Sequence, residues 1–252
     1  MGIFLKDINL KGKTALITGA TKGLGRGAAI ACSKEGADVV AVDIDRKALR
    51  TLQEELPKAK FIWCDVRDET SVKGMLDKVI KENGKIDGLV SNAGTAPVGL
   101  GKAVHTKLQD WKDNLDMNLT SHFIVCKNAI PLMTGGGSIV ITSSISAQIV
   151  TGVHVSYTTA KHAISGFVKH MAVEAGHDEI RINSILPGAV WETTTGNNVQ
   201  NTNKERPPGW IPIRRHGFAV KEYGATIAFL LSEESGYITG TNIPVDGGYL
   251  TV

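Results

Sequence analysis

The sequence predicts an α/β protein, a single domain built on a doubly wound parallel sheet of about seven strands. Three observations point there. Short β-branched runs alternate with longer amphipathic stretches along the 252 residues, the rhythm of βαβ units. The strand-like runs are almost continuously apolar, as in a sheet covered by helices on both faces. The first of them feeds a glycine-rich turn and then a helix, which puts that turn at the carboxyl edge of the sheet. Hydrophobic residues at 42% and charged residues at 21% suit one large globular core. No repeat, low-complexity linker or second domain interrupts the pattern.

The elements follow in order. Thr14 to Thr18 reads as a buried strand and Gly23 to Lys34 as a helix. Asp38 to Asp43 is a second strand and Arg46 to Leu56 a second helix. Phe61 to Cys64 is a third strand, followed by a helix from Glu69 to Glu82. Ile86 to Ser91 is a fourth strand. A long helical region covers Leu108 to Met133. Ser138 to Thr142 is the fifth strand, Val155 to Ala175 the next helix, and Arg181 to Ile185 the sixth strand. A helix near Lys221 to Leu231 precedes a last strand at Asn242 to Val245. The crossovers should be right-handed.

One stretch breaks the rhythm. Residues 189–218 hold Gly196, Pro207, Pro208, Gly209, Pro212 and Gly217, together with Trp191 and Trp210. A long insertion of this kind is a lid, a binding loop or disordered. The tryptophans favour a lid over a ligand.

Composition excludes several classes. The net charge of +3 is small and scattered, with no basic block for nucleic acid. Cys32, Cys64 and Cys126 are odd in number and lack a Cys-x-x-Cys pair, so neither a disulfide framework nor a zinc site is expected. The histidines form no metal-ligand pattern. The first residues carry neither a signal-like apolar run nor a serine or threonine at position 6 for myristoylation. No run has the length of a membrane span. A cytosolic protein with no metal, no membrane and no nucleic acid is the expectation.

Thr18 to Gly25 reads Thr-Gly-Ala-Thr-Lys-Gly-Leu-Gly. Glycines at this strand–helix turn allow backbone to approach a pyrophosphate, which meets the free N–H groups at the helix start. Gly19, Thr21, Lys22, Gly23, Leu24 and Gly25 are therefore expected to bind a dinucleotide. Asp43 ends the second strand, where an acid can bind the adenosine ribose hydroxyls. Its charge would repel a 2′-phosphate, so NAD is expected over NADP. Lys22 argues the other way if it meets that phosphate, and otherwise is solvated or pairs with the pyrophosphate. Asp65 could accept from the adenine amino group or simply start a helix.

Tyr157 and Lys161 are four apart, neighbours on one face of a helix. A free tyrosine titrates at about 10. A lysine charge about 5 Å away, at an effective dielectric of about 20, contributes roughly 3 kcal/mol, or about two pKa units. That would bring the phenol to about 8, suited to general acid–base work. Ser144 stands thirteen residues earlier and could hold a substrate oxygen. The bland alternative is a surface tyrosine beside a solvated lysine.

Together these residues resemble a short-chain dehydrogenase/reductase. The resemblance rests on Thr18 to Gly25, Asp65-Val66, Asn92-Ala93-Gly94, Asn118, Ser144, Tyr157-Thr-Thr-Ala-Lys161, Pro187-Gly188 and Ile238 to Gly248, in order, from about Leu10 onward. It implies a Rossmann fold and an Asn118–Ser144–Tyr157–Lys161 tetrad. In that scheme Tyr157 is the acid/base and Ser144 orients the substrate oxygen. Lys161 lowers the phenol's pKa and holds the nicotinamide ribose, and Asn118 supports a water chain. Asp65, Val66, Asn92, Ala93 and Gly94 belong to the cofactor cleft, and Pro187, Gly188 and Val190 flank the nicotinamide. Ser144 could instead be a strand-end hydroxyl and Asn118 a helix kink. The family often has a threonine five residues past the proline, where this chain has Glu192, followed by Thr193. The resemblance also implies a homotetramer through the helices at Val155–Ala175 and Lys221–Leu231 and the last strand.

The function expected is hydride transfer between NAD(H) and a secondary alcohol or ketone. Ser144, Gln148, Tyr157 and the tryptophan-bearing loop would meet a small polar, sugar-like substrate. An NADPH-dependent 3-ketoacyl-type reductase is the alternative within this class. A non-catalytic dinucleotide sensor or scaffold is the alternative from another class.

Overall fold

The computed structural model describes residues 8–96, 102–151, 154–191 and 211–251. Its alternating elements are β1 (Thr14–Thr18), α1 (Gly23–Lys34), β2 (Asp38–Asp43), α2 (Arg46–Glu55), β3 (Lys60–Trp63), α3 (Glu69–Asn83) and β4 (Gly88–Ser91). They continue as α4 (Leu108–Leu115), α5 (Ser121–Ala129), β5 (Gly137–Thr142), α6 (Val155–Ala175), β6 (Ile180–Pro187), β7 (Val190–Trp191), β8 (Gly217–Phe218), α7 (Ala225–Leu231) and β9 (Asn242–Val245). Among the described residues seven strands form one parallel sheet, ordered β3-β2-β1-β4-β5-β6-β9.

Strand alternation divides the core into two layers, because successive side chains point to opposite faces. Leu16, Val40, Val42, Leu89, Ile139 and Ile141 pack with α3, α5 and α6 on one face. Ala15, Ile17, Val39, Ala41, Val90 and Val140 pack with α1, α2 and α7 on the other. Chain order reverses between β1 and β4, which lie side by side. Their carboxyl ends therefore open the crevice where this architecture binds ligands.

Local chemistry sets the helix boundaries. Asp45 caps α2 by accepting from Lys47 N and Ala48 N, and Asp68 caps α3 by accepting from Thr70 N. Gly84 closes α3 in the left-handed conformation, φ 80°.

Some boundaries differ from expectation. β3 begins one residue earlier, β4 starts at Gly88 rather than Ile86, and β6 extends from Ile180 to Pro187. The long helix expected over Leu108 to Met133 is broken by a π-helical turn at Asp116–Thr120 and ends in a 3-10 turn at Ile130–Leu132. The helix expected from Lys221 likewise begins as a π-helical turn, Ala219–Gly224, before α7. That turn lies against α1 with backbone nearly touching: a Cβ on Gly224 would lie 2.5 Å from the Gly27 carbonyl oxygen.

The short pair β7–β8 was not expected. It joins Val190 to Gly217 and Trp191 to Phe218, so the two ends of the 189–218 stretch are clasped together. Glu192, Thr193, Gly196, Pro207, Pro208, Gly209 and Trp210 lie outside the described residues. Among the described residues no helix is long and apolar enough to cross a membrane.

Candidate active site

The crevice begins at the glycine-rich turn. Gly19 has φ 63°, and a Cβ there would lie 2.8 Å from Ala93 Cα. At Gly25 a Cβ would collide with the Gly19 carbonyl. Only hydrogen fits at either place, so the turn after β1 closes tightly against the loop after β4. Asn92 fastens the two loops: its Nδ2 donates to Thr18 O at 3.1 Å and Gly19 O at 3.2 Å. Thr18 Oγ1 in turn accepts from the backbone N–H groups of Asn92 and Ala93 at 2.9 and 3.2 Å.

The start of α1 is left without a side-chain cap, since Lys22 makes no capping hydrogen bond. Twelve aligned peptides therefore end in free N–H donors at the crevice. That donor set, in a cradle kept open by glycine, fits the pyrophosphate of a dinucleotide.

The acids at this end are more engaged than expected. Asp43 Oδ2 accepts from Thr21 N at 3.1 Å and Thr21 Oγ1 at 2.7 Å, while Oδ1 accepts from Asp45 N at 3.0 Å. A carboxylate has about four acceptor positions, so room for one more donor remains. Lys22 pairs with Asp45 at 3.1 Å on the surface. Beyond it lies a cleft of about 330 Å³ lined by Thr21, Lys22, Arg26, Asp45, Lys47 and Glu55 among others. Arg67 grips both oxygens of Asp65, at 3.0 and 2.7 Å, and holds that carboxyl below its ordinary range. Asp65 is thus already partnered, with acceptor room for one more donor, as at Asp43. The side chains of Val66 and Val190 belong to the hydrophobic cores, which leaves only their backbones to face a cofactor. Pro187 ends β6, and Gly188 N donates to Val245 O at 3.2 Å.

The second half of the crevice gathers four residues from three distant segments. Ser144 follows β5 and its hydroxyl hydrogen-bonds the phenol of Tyr157 on α6. Lys161 Nζ lies 5.5 Å from the centroid of the Tyr157 ring and donates to Thr142 O at 3.0 Å. Asn118 sits fully buried within the π-helical turn. Its Nδ2 donates to Thr95 O at 2.9 Å and Asn114 O at 3.2 Å, and its Oδ1 accepts from Thr95 N at 3.2 Å. A Cβ on Gly94 would lie 3.0 Å from Asn118 Oδ1 and 3.9 Å from Lys161 Nζ. The loop after β4 thus reaches the lysine. Gln148 is exposed on the turn after Ser144.

The phenol does not show the depression expected from the lysine's charge. Burial pushes Tyr157 up, and the Ser144 hydrogen bond only partly opposes it. Burial also lowers Lys161 to about 7, so near neutral pH the lysine is itself divided between charged and neutral forms. The expected depression takes the lysine as a permanent cation at an effective dielectric of about 20, whereas the fold buries the lysine and half-buries the phenol.

Sequence reasoning missed the surroundings of this cluster. His122, on α5 one turn past Asn118, is buried and bonds Ser91 Oγ through Nδ1 at 2.8 Å. Burial, then the Lys161 charge, hold its pKa well below the usual histidine value. Asn114 and Thr95 lock Asn118. Helical spacing alone could have placed Asn114, Asn118 and His122 near one face, but nothing in the chain named that face as buried. Cys32, Cys64 and Cys126 are buried free thiols, and burial pushes Cys32 and Cys126 up to about 12.

A family model described as enoyl-(acyl carrier protein) reductase matches residues 19–250. The chain belongs to the short-chain dehydrogenase/reductase family. Its relatives in that family include the D-threitol dehydrogenase of Mycolicibacterium smegmatis, 34% identical over 96% of this chain and 95% of the relative. The 3-oxoacyl-[acyl-carrier-protein] reductase FabG of Thermotoga maritima is 34% identical over 96% and 99%. A solved short-chain type dehydrogenase/reductase from Mycobacterium marinum superimposes with a TM-score of 0.87 at 33% identity, covering 96% of this chain and 97% of that one.

As a short-chain dehydrogenase/reductase the chain is an oxidoreductase of a family that acts on CH–OH and keto groups with nicotinamide dinucleotides.

Proposed function

We propose that the protein interconverts a small, polar secondary alcohol and its ketone with NAD(H). The observation that carries this reading is the half-buried Ser144 and Tyr157 over the buried Lys161, beside a glycine-lined, uncapped helix start. When bound, the nicotinamide dinucleotide supplies the hydride acceptor or donor. The pyrophosphate would rest on Gly19 to Gly25, the adenosine ribose on Asp43 and the nicotinamide ribose on Lys161. Asp65, Val66, Asn92, Ala93, Gly94, Pro187, Gly188 and Val190 would complete the cofactor cleft.

The chain's own residues then manage one proton. Ser144 donates its hydroxyl hydrogen to the substrate oxygen. In oxidation Tyr157 Oη takes the alcohol proton, and in reduction it returns one to the ketone oxygen. A phenolate and an ammonium stabilise one another in a buried site. Ionised Tyr157 therefore keeps Lys161 charged, and each group offsets the burial that disfavours the other alone. Asn118, locked by Thr95 and Asn114, holds the helical turn beside Lys161 and supports the proton's route to solvent.

Polarity near the phenol favours a polyol-like substrate: Gln148 is exposed at the turn after Ser144, and one relative bears the name of a tetritol dehydrogenase. Absorbance at the reduced nicotinamide band, with a panel of polyols, hydroxy ketones and ketoacyl thioesters, tests this. Turnover confined to the thioesters would refute the polyol reading. Tight NAD binding with silence across the panel would favour a sensor.

A second reading, NADP(H) use, is favoured by the cleft beside Thr21, where Lys22, Arg26 and Lys47 could meet a 2′-phosphate. Its cations are already opposed by Asp45 and Glu55, at 3.1 and 2.5 Å from Lys22 and Arg26, which is why NAD is preferred. We further propose a homotetramer. Leu108 on α4, Phe123 on α5 and Val173 on α6 are exposed apolar side chains. Among the described residues β9 pairs only with β6, leaving an open edge. A stable monomer in light scattering would overturn this. Ile227, Ala228, Leu230 and Leu231 of α7 are spent inside the chain's own core.

A further inference from the structure

The helix that carries Tyr157 begins at His154, whose carbonyl accepts from Tyr157 N at 3.0 Å and Thr158 N at 3.2 Å. The imidazole of the same residue caps nothing in the helix. Its two nitrogens reach in different directions instead. Nδ1 contacts Ser156 Oγ at 2.7 Å, and Ser156 is completely buried. Nε2 contacts Thr106 Oγ1 at 3.2 Å, across 48 positions of sequence. Thr106 lies at the end of the segment that leaves β4 and runs into α4. From there α4 runs directly into the π-helical turn that holds Asn118, and Asn118 is locked by Thr95.

We infer that His154 is a positioning residue that pins the entry to α4, at Thr106, to the root of the Tyr157 helix, setting the spacing between Asn118 and Tyr157 in the substrate crevice. The inference rests on the functional reading proposed above. An imidazole is a rigid spacer with a polar atom at each of two edges, and a hydroxyl can donate to or accept from either. The bridge therefore joins both partners whichever nitrogen carries the proton. Its second anchor, Ser156, is a fully buried serine on α6, so Thr106 is referred to the helix interior rather than to its surface. Acid–base help from a phenol depends on the substrate oxygen lying within hydrogen-bond reach, and small displacements are costly in rate.

The experiment uses the full chain as wild type, His154→Ala, His154→Gln, Thr106→Val and the His154→Ala/Thr106→Val pair. The probes are NAD+ with a panel of tetritols and pentitols, and NADH with the corresponding ketoses. His154→Ala and Thr106→Val should each lower kcat/KM about tenfold, with NADH affinity unchanged. Because Thr106→Val removes one of the two contacts that His154→Ala removes, the double variant should be no worse than His154→Ala alone. Gln, which offers a donor and an acceptor on one planar group, should restore most of the loss. Amide hydrogen exchange at 102–107 should quicken in both single variants. Independent, additive losses would overturn the inference, as would normal kinetics and exchange in Thr106→Val. If the wild type binds NADH but turns over none of the panel, the functional reading fails. The clamp is then decided by exchange alone: faster exchange at 102–107 in both variants upholds it, and unchanged exchange rejects it.

Discussion

The two halves of the crevice are built on different principles. The cofactor half, around Gly19, Gly25, Asn92 and Asp43, is a backbone construction in which loops touch at distances that only glycine permits. Its polar side chains already have partners within the chain: Asp43 with Thr21, Asp65 with Arg67, Asn92 with Gly19. The catalytic half, around Ser144, Tyr157 and Lys161, is a side-chain construction in which burial outweighs charge. There the phenol is pushed up and the lysine down to about 7. In the proposed function a preformed cradle would bind without reorganising, whereas a half-buried phenol over a buried lysine would pass a proton. The contrast separates a half that should fail by steric exclusion from one that should fail by titration.

The largest effect expected from breaking this contrast is at the phenol. Tyr157→Phe should lower kcat about 10³-fold while leaving NADH binding intact by fluorescence titration. Lys161→Ala should damage both turnover and binding. Retained turnover in the phenylalanine variant would remove the acid–base role from Tyr157.

Lys161 also makes the catalytic half pH-sensitive in stability. Its folded value of about 7 lies below the ordinary 10.5, so the unfolded chain binds more protons between those limits and stability rises with pH there. Below about 7 the folded protein must bury the charge, and the stabilising contribution is absent. Lys161→Met should therefore gain most over wild type in urea unfolding at or below pH 7, and the gap should shrink toward pH 10. A pH-independent gap would mean that the lysine is better solvated than its burial implies.

In the cofactor half, Gly25→Ala should cost about 2–3 kcal/mol in urea unfolding, because the added methyl meets the Gly19 carbonyl. Dinucleotide binding should fall with it, and no change of pH should rescue either. Asp43→Ala should narrow the ratio of NADP to NAD dissociation constants about tenfold, as read by calorimetry. A wild type that already prefers NADPH would reverse the cofactor assignment. The smallest effect belongs to Arg67→Ala. It frees a half-buried carboxylate and should change NAD affinity by less than about fivefold. A larger loss would place Arg67 itself against the cofactor.

Much of the architecture was legible in the chain. β1, α1, β2, α6 and β9 stand at the residues that periodicity assigned to them, since strand and helix periods are local properties. The glycine turn was legible for the same reason. Where reading failed, a long-range contact overrode a local pattern. Helical periodicity continues through Asp116–Thr120, yet the helix widens into a π turn there, where Asn118 bonds the backbone of Thr95 from another loop. The β7–β8 clasp is two residues long and has no period to detect.

By itself, then, the sequence determined the alternation of elements, the glycine-lined turn and the four-residue spacing of Tyr157 and Lys161. These depend on neighbours within a few bonds of one another. Only the tertiary structure decided which groups lose their water. It enclosed Lys161, joined Ser144 to Tyr157 and hid His122 beside Ser91. Desolvation depends on everything that surrounds a group, from every direction of the chain, and spacing along the sequence carries no record of it.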